Sequence, residues 1–337
     1  MSDTHRVGLT TTVGQSLRAL DHGIRDGAAF GTREVSTGFT VLDEILGGGL
    51  HGGDLILLGG PPGVGKTICA LQWARNMARS GHRAIFACYE HTPNTLLTRL
   101  LALESGEAGG DTKVGRVVEQ ALAGSATDGA GLEELLQQTA LGAQALASVE
   151  SYGDELVFLR ASGSHSTVEE LRQLATPHVT HDGNSVLFVD YLQKIPIHPE
   201  PATEAEKITR TVEALKDLAL DLQIPIVLLS AVDADGMRAS RIRMHHLRGS
   251  SAIAFESDVV LMLNDKLKAV SKVHLSYDPV GAREFRNWIV MSIEKNRGGP
   301  NLIDLEFRKD FAHFRFDPDG GIVSEKLVDE RLDEAGL

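Results

Sequence analysis

Cysteine, positive charge and long apolar runs are all scarce in this sequence. Its two cysteines, Cys69 and Cys88, each sit inside an apolar stretch. A free thiol there behaves as a small buried hydrophobe, so neither a disulfide framework nor a cysteine metal knuckle is indicated. No segment approaches the ~20 apolar residues that span a bilayer, and residues 1–17 hold no apolar run of signal-peptide length. The chain is accordingly expected in the cytosol, with no membrane partner. The 33 Lys and Arg stand against 46 Asp and Glu, a formal net charge of -13. Phosphate binding rests on cations that displace counterions, so a surface that coats nucleic acid throughout is excluded and any such contact must be local. The thirteen histidines, chiefly His178 with His181 and the pair His245-His246, have no Cys or carboxylate at ligand spacing nearby. Solvated or core histidines fit that pattern better than a metal site.

What the sequence does contain is 42% apolar residues in a chain of 337, enough for one large α/β domain or two small ones. Residues 13–26 place Leu17, Leu20 and Ile24 at helical spacing and precede a breaker run at 27–31, so residues 1–33 read as an arm with one short amphipathic helix. From Asp54 onward, continuous apolar strands such as DLILLGG, RAIFACYE, SVLFVDYLQ, PIVLLS and DVVLMLN alternate with amphipathic helices. That pattern predicts an α/β fold with a mainly parallel central sheet covered by helices on both faces. Residues 106–152, rich in Ala, Gly and Gln, read as a helical elaboration of this domain. Residues 318–337, with Asp329, Glu330, Asp333 and Glu334, read as a solvated acidic tail.

The chemistry is concentrated at three places. Gly60, Pro61, Pro62, Gly63, Val64, Gly65, Lys66 and Thr67 fit GxxxxGK[ST], directly after the predicted strand 55–58 and directly before a helix that continues through Ile68. In such a loop glycines turn backbone N-H groups toward phosphate oxygens and the following helix adds its positive end. Lys66 would then reach the β and γ phosphates of ATP, and the Thr67 hydroxyl would ligate Mg²⁺. A second apolar strand, SVLFVD, ends in Asp190, where a parallel sheet presents a carboxylate beside that metal. A third, IFACYE, ends in Glu90, placed to polarise the attacking water as general base.

The runs STGFTVLDEILGGGLHGGDLILLGGPPGVGKT, FACYEHTPNTLLTRLLALES, VLFVDYLQ, ITRTVEALKDLALDLQIPIVLLS, HLRGSSAIAFESDVVLML and EKNRGGP resemble, in that order, the RecA-like ATPase domain of DnaB-family replicative helicases. The resemblance spans about residues 34–317. It implies an ATP- and Mg²⁺-dependent hydrolase that assembles with copies of itself, as a hexameric ring or a helical filament, and acts on single-stranded DNA. It places Glu90 on the family's catalytic glutamate. It also makes Lys295 and Arg297 a pair reaching in trans into a neighbouring subunit's site.

Several positions depart from the family. By the resemblance, the family's helical N-terminal collar domain is expected to be missing from this chain, and residues 13–26 resemble its linker helix, which leaves room for a protein partner in the collar's place. Ala231 follows Ser230 where the family has Gln, Gly249 replaces a glutamate beside the retained Arg248, and the segment after Gln193 is Pro-rich and acidic. These changes bear on DNA translocation and leave the ATP site whole. The leading expectation is a DnaB-like helicase or single-strand translocase. A KaiC-like regulatory or assembly ATPase and an ATP-binding scaffold with little turnover are the alternatives. For the motor, the loop between Ser230 and Asp258 is the expected nucleic-acid contact. Arg238, Arg241, Arg243 and Arg248 outnumber Asp233 and Asp235 in it, and small residues at Gly249, Ser250 and Ser251 would let backbone N-H groups approach phosphates.

Overall fold

The computed structural model describes residues 11–25, 34–110, 113–122, 130–180, 184–249, 251–271 and 281–328. The chain divides into two units, 1–33 and 34–337. Of the first unit, helix α1 (Val13–Arg25) is described, and it leaves Val13, Leu17, Leu20 and Ile24 exposed.

In the second unit the strands are β1 (Leu55–Gly59), β2 (Arg83–Cys88), β3 (Leu156–Arg160), β4 (Ser185–Asp190), β5 (Ile226–Ser230), β6 (Val259–Asp265), β7 (Trp288–Asn296), β8 (Ile303–Asp310), β9 (Arg315–Phe316) and β10 (Gly321–Ile322). They join one sheet in the order β10-β8-β7-β6-β1-β5-β4-β2-β3, with β9 paired to β8. From β6 to β3 every pairing is parallel, whereas β6, β7, β8 and β10 pair antiparallel. The runs LILLG, SVLFVD and IVLLS are buried along their whole length because they occupy the middle of the sheet with helices on both faces.

Helices α2 (Thr40–Ile45), α3 (Lys66–Arg79), α4 (Pro93–Glu107), α5 (Lys113–Leu122), α6 (Leu132–Gln137), α7 (Ala140–Tyr152), α8 (Val168–Ala175), α9 (Glu204–Leu222) and α10 (Ala252–Glu256) complete the frame. Four of them start on a threonine whose hydroxyl accepts a first-turn N-H: Thr92, Thr139, Thr167 and Thr203. Each such cap contributes roughly 1 kcal/mol. One core, with Trp73, Phe39, Phe86 and Phe307, packs α3 on one face of the sheet, and a second, with Ile208, Val212 and Leu215, packs α9 on the other. Within the elaboration, α5, α6 and α7 close on α4 around a small core of Leu101, Val114, Val118, Leu136 and Ala145.

The end of the chain differs from expectation. Residues 318–328 are not a solvated tail: β10 pairs with β8, Leu327 bridges Val270, and the Val328 N-H donates to the Ala269 carbonyl at 2.8 Å. One further anchor is Lys266, whose side chain is 3% exposed and lies between the carboxylates of Glu306 and Glu325. A buried ammonium requires such partners, and the acidic composition of this segment supplies one of them. Asp329, Glu330, Asp333 and Glu334 lie outside the described residues.

Candidate functional site

A parallel sheet collects the C-terminal ends of its strands along one edge, and three of those ends build the site. Gly59 lies opposite Ser230, and Cys88 opposite Asp190, so the loop after β1, the carboxylate ending β4 and the Glu90 turn after β2 converge. Gly65 caps α3 with φ +105°, and a Cβ there would stand 2.7 Å from the Phe316 ring and 2.8 Å from that of Phe311. Only glycine meets both demands, which brings the N-terminus of α3 to the loop's mouth.

Lys66 Nζ donates to the carbonyl oxygens of Gly60 at 2.7 Å and Pro61 at 3.1 Å. The Thr67 hydroxyl donates to Asp190 Oδ2 at 2.7 Å. Burial lowers the Lys66 pKa to about 8, against the opposing pull of Asp190 and Glu90. Burial also raises Asp190 to about 6, with a smaller push from Glu90, while the Thr67 hydrogen bond and the charges of Lys66 and Arg99 work the other way. A phosphate and a divalent cation would supply the opposite charges that these two desolvated groups face. The Thr67 hydroxyl and the Asp190 carboxylate are hard oxygen donors suited to Mg²⁺, which prefers few protein ligands plus substrate phosphate.

Together these residues border a cavity of about 380 Å³ also lined by Pro62, Gly63, Ile68, Glu90, Tyr191, Ala231, Phe311 and Phe314. The volume falls within the range of small-molecule sites. Arg99 lines it as well, and no sequence motif pointed to it. It lies on α4, with its guanidinium 5.4 Å from the centroid of the Phe314 ring. Burial lowers its pKa and Asp190 raises it. A single arginine within a leucine-rich helix carries no local signal, and only the turn of α4 toward the cavity reveals it. Among the described residues no group of three or more His, Cys, Asp or Glu is placed to hold a metal, and His181 lies outside them.

Lys295 and Arg297 sit elsewhere. The buried Asp258 accepts from the Leu55 N-H, at the start of β1, and from Arg297 at 3.1 Å. The phosphate loop follows the other end of β1, about 15 Å away at ~3.3 Å per residue. Arg297 also donates to the Phe255 carbonyl at 2.6 Å, and Lys295 donates to the carbonyls of Ala254, Phe255 and Ser257 at the end of α10. The pair therefore lies across the sheet from the chain's own phosphate loop.

The loop from 231 to 257 corrects the expected basic track. Arg241 is 9% exposed and donates to both oxygens of Asp304, and the Arg243 guanidinium lies 2.7 Å from the largely buried Glu294 carboxylate. Arg238 pairs with Asp235. Arg243 is thus engaged in internal structure, because β7 and β8 bring to the loop carboxylates that are distant in sequence. Arg248 remains half exposed, 2.9 Å from Glu204. Gly249 has φ +124° and lies against Ile208 of α9, Ser251 is exposed, and Ser250 lies outside the described residues.

Comparison with known proteins accords with this geometry. The replicative DNA helicase DnaB of Treponema pallidum is 29% identical over 283 residues, covering 83% of this chain and 55% of that protein. The DnaB of Geobacillus stearothermophilus is 27% identical over 298 residues, covering 86% and 57%. The chain thus spans little more than half the length of these relatives. A solved DnaB-like replicative helicase, described together with its interactions with primase, superposes with a TM-score of 0.65 at 18% identity, covering 91% of this chain and 67% of that one. The two share the RecA-like fold. No described helix is long and apolar enough to cross a membrane. The profile of the DnaB-like helicase C terminal domain family matches residues 34–316, a span that holds the strand-loop-helix of the phosphate site and runs to β9, and the chain belongs to that family.

Proposed function

We propose that this chain is the ATPase motor of a DnaB-like ring helicase, hydrolysing Mg-ATP at sites shared between neighbouring copies and drawing single-stranded DNA through the ring. The observation that carries this reading is the separation within one chain. The phosphate loop, Thr67, Asp190 and Glu90 share one end of the sheet, and Arg297 stands at the other. A head-to-tail ring brings one copy's Arg297 end against the next copy's phosphate end, and such heterologous contacts close into rings or run on as filaments.

In this reading the loop 60–67 and Lys66 hold the phosphates, Thr67 and Asp190 hold Mg²⁺, and Arg99 and the neighbour's Arg297 offset charge on the transferring group. The bound metal supplies charge neutralisation at the phosphate oxygens. Glu90 takes a proton from the attacking water as that water bonds to the γ phosphorus, and the bond to the β-γ bridging oxygen breaks. The products are ADP and phosphate. Lys295, held by three carbonyls, supports the end of α10 beside Arg297. Arg248, half exposed beside Glu204, is the cation of the loop assigned to a DNA phosphate, with the exposed Arg238 earlier in the same loop.

The test is ATP turnover with and without single-stranded DNA at low salt. A motor is stimulated by the strand. Turnover that is indifferent to DNA would assign the site to a regulator acting on a protein, and no turnover at all would leave a nucleotide-binding scaffold.

A further inference from the structure

Gln193 lies on the short turn after Asp190, three residues beyond the carboxylate that holds Thr67, and its side-chain amide is used at both ends. Nε2 donates to Ser230 Oγ at 3.0 Å and to the Arg248 carbonyl at 3.0 Å, while Oε1 accepts from the Ala231 N-H at 3.2 Å. Its own carbonyl accepts from Lys207 of α9 at 3.2 Å. One side chain therefore joins the end of β4, the end of β5 and the start of the Arg248 loop. A further bond closes the ring of contacts, since the Arg248 N-H donates to the Ala231 carbonyl at 3.0 Å.

Ala231 lines the phosphate cavity and offers no side chain that could report on the phosphate. Gln193 does not line the cavity, but its amide lies directly behind Ala231 and fixes the backbone there. We propose that Gln193 is a positioning residue through which the loading of the phosphate site is passed to the Arg248 loop. This rests on the reading of residues 60–67 and Asp190 as the Mg-ATP site. Loading would change the Thr67-Asp190 contact, because a cation held by Thr67 and Asp190 would take up the pair now hydrogen-bonded across 2.7 Å. The segment from Asp190 to Gln193 joins that change to the hydrogen bonds that reach the loop. Along it the three side-chain bonds of Gln193 convert a shift at β4 into a shift at Ala231 and Arg248. A residue that merely held a turn together would keep these bonds whatever the nucleotide state, so nucleotide dependence is the discriminating property.

Amide hydrogen exchange over residues 231–249, with and without a non-hydrolysable Mg-ATP analogue, tests this in the full chain. In wild type the analogue should change exchange at Ala231 and Arg248 by threefold or more. Gln193→Leu should abolish that response while analogue affinity stays within about threefold, as the altered residue is outside the cavity. Gln193→Glu keeps the acceptor for the Ala231 N-H and loses the donors to Ser230 and Arg248, so the response should survive at Ala231 and shrink at Arg248, where only the bond from its N-H to the Ala231 carbonyl still carries it. This second variant also decides the matter if Gln193→Leu fails to fold. A wild-type loop indifferent to the analogue, or a Gln193→Glu loop that responds at Arg248 as wild type does, overturns the proposal. Loss of analogue binding in either variant also overturns it, by placing Gln193 within the phosphate site itself. Turnover with single-stranded DNA, measured in parallel, separates the readings. A Gln193-dependent response without DNA stimulation sinks the helicase reading alone, whereas failure of wild type to bind the analogue sinks the ATP site.

Discussion

At the scale of single residues, the site depends on desolvated charges that are stable only as a set. Glu90 borders the cavity rather than the core, so Glu90→Gln should leave folding and Mg-ATP affinity unchanged while turnover falls by roughly 10² to 10⁴, as loss of a general base does. Steady-state turnover alongside nucleotide titration checks it, and near-normal turnover would reassign Glu90 to the surface. Lys66 and Asp190 set a pH window. Asp190 titrates at about 6 and Lys66 at about 8 in the free protein. Metal binding requires the carboxylate ionised and phosphate binding requires the ammonium charged. Mg-ATP affinity should therefore decline below about pH 6 as Asp190 protonates, decline above about pH 8 as Lys66 loses its charge, and peak between. Terminal phosphates themselves titrate near ~6, so the comparison that counts is Asp190→Asn. Its affinity should be weaker throughout, and its acid limb should retain only the nucleotide's own protonation. An acid limb of unchanged depth in that variant would remove Asp190 from the metal site.

At the scale of elements, the loop behind Arg248 is shaped by what it packs against. Gly249 takes φ +124°, and a Cβ there would stand 2.5 Å from Ile208 Cγ1. Gly249→Glu, the residue the family resemblance places there, should then destabilise the protein by about 2 kcal/mol through backbone strain and overpacking, and it should displace Arg248. Chemical denaturation reads the first effect and salt-dependent single-strand binding the second. Unchanged stability would mean that the loop simply moves away from α9. Much of this architecture could be read from the sequence. Continuous apolar runs announced the parallel strands, and the spacing of glycines before Lys66 announced the phosphate loop. What escaped were features made by contacts between distant segments. Strand β8 alternates buried Leu305 and Phe307 with partly exposed charged residues, so its run is less conspicuous than IVLLS or SVLFVD. The carboxylates of β7 and β8, Glu294 and Asp304, neutralise Arg243 and Arg241 from 51 and 63 residues away in sequence. Local charge counting therefore found a basic loop where the fold has paired most of its cations. Glu325 likewise falls in a segment whose composition suggests a solvated tail, because nothing near it in sequence shows that Lys266 needs a partner.

At the scale of the whole molecule, the question is where a complete site exists, and the distance between Arg297 and the phosphate loop makes it a question about pairs of copies. The proposed role of Arg297 is that of an arginine finger, and in phosphoryl-transfer systems such a group is worth about 10³ to 10⁵ in rate, or roughly 4 to 7 kcal/mol of transition-state stabilisation. Arg297 is half exposed here, with Asp258 and the Phe255 carbonyl as its partners. It gives up only these contacts when it turns outward, and Asp258 retains Lys216 at 2.6 Å. Arg297→Ala should thus leave the fold and each copy's own Mg-ATP binding close to wild type while removing nearly all turnover. Glu90→Gln removes turnover for the other reason, and it leaves its own Arg297 intact. In an equal mixture of the two variants, an interface is whole when a Glu90→Gln copy lends its arginine to an Arg297→Ala copy that retains Glu90. Random assembly of a head-to-tail ring makes about one interface in four of that kind, so the mixture should recover up to about a quarter of wild-type turnover if sites fire independently. It should recover less if they fire in sequence around the ring. The measurement is turnover across mixing ratios, with the two proteins dissociated and reassembled together before assay. A curve that peaks near equal proportions places catalysis at the boundary between copies, whereas a flat baseline at every ratio would mean that each chain completes its own site and that the loss of Arg297 acts within its own chain.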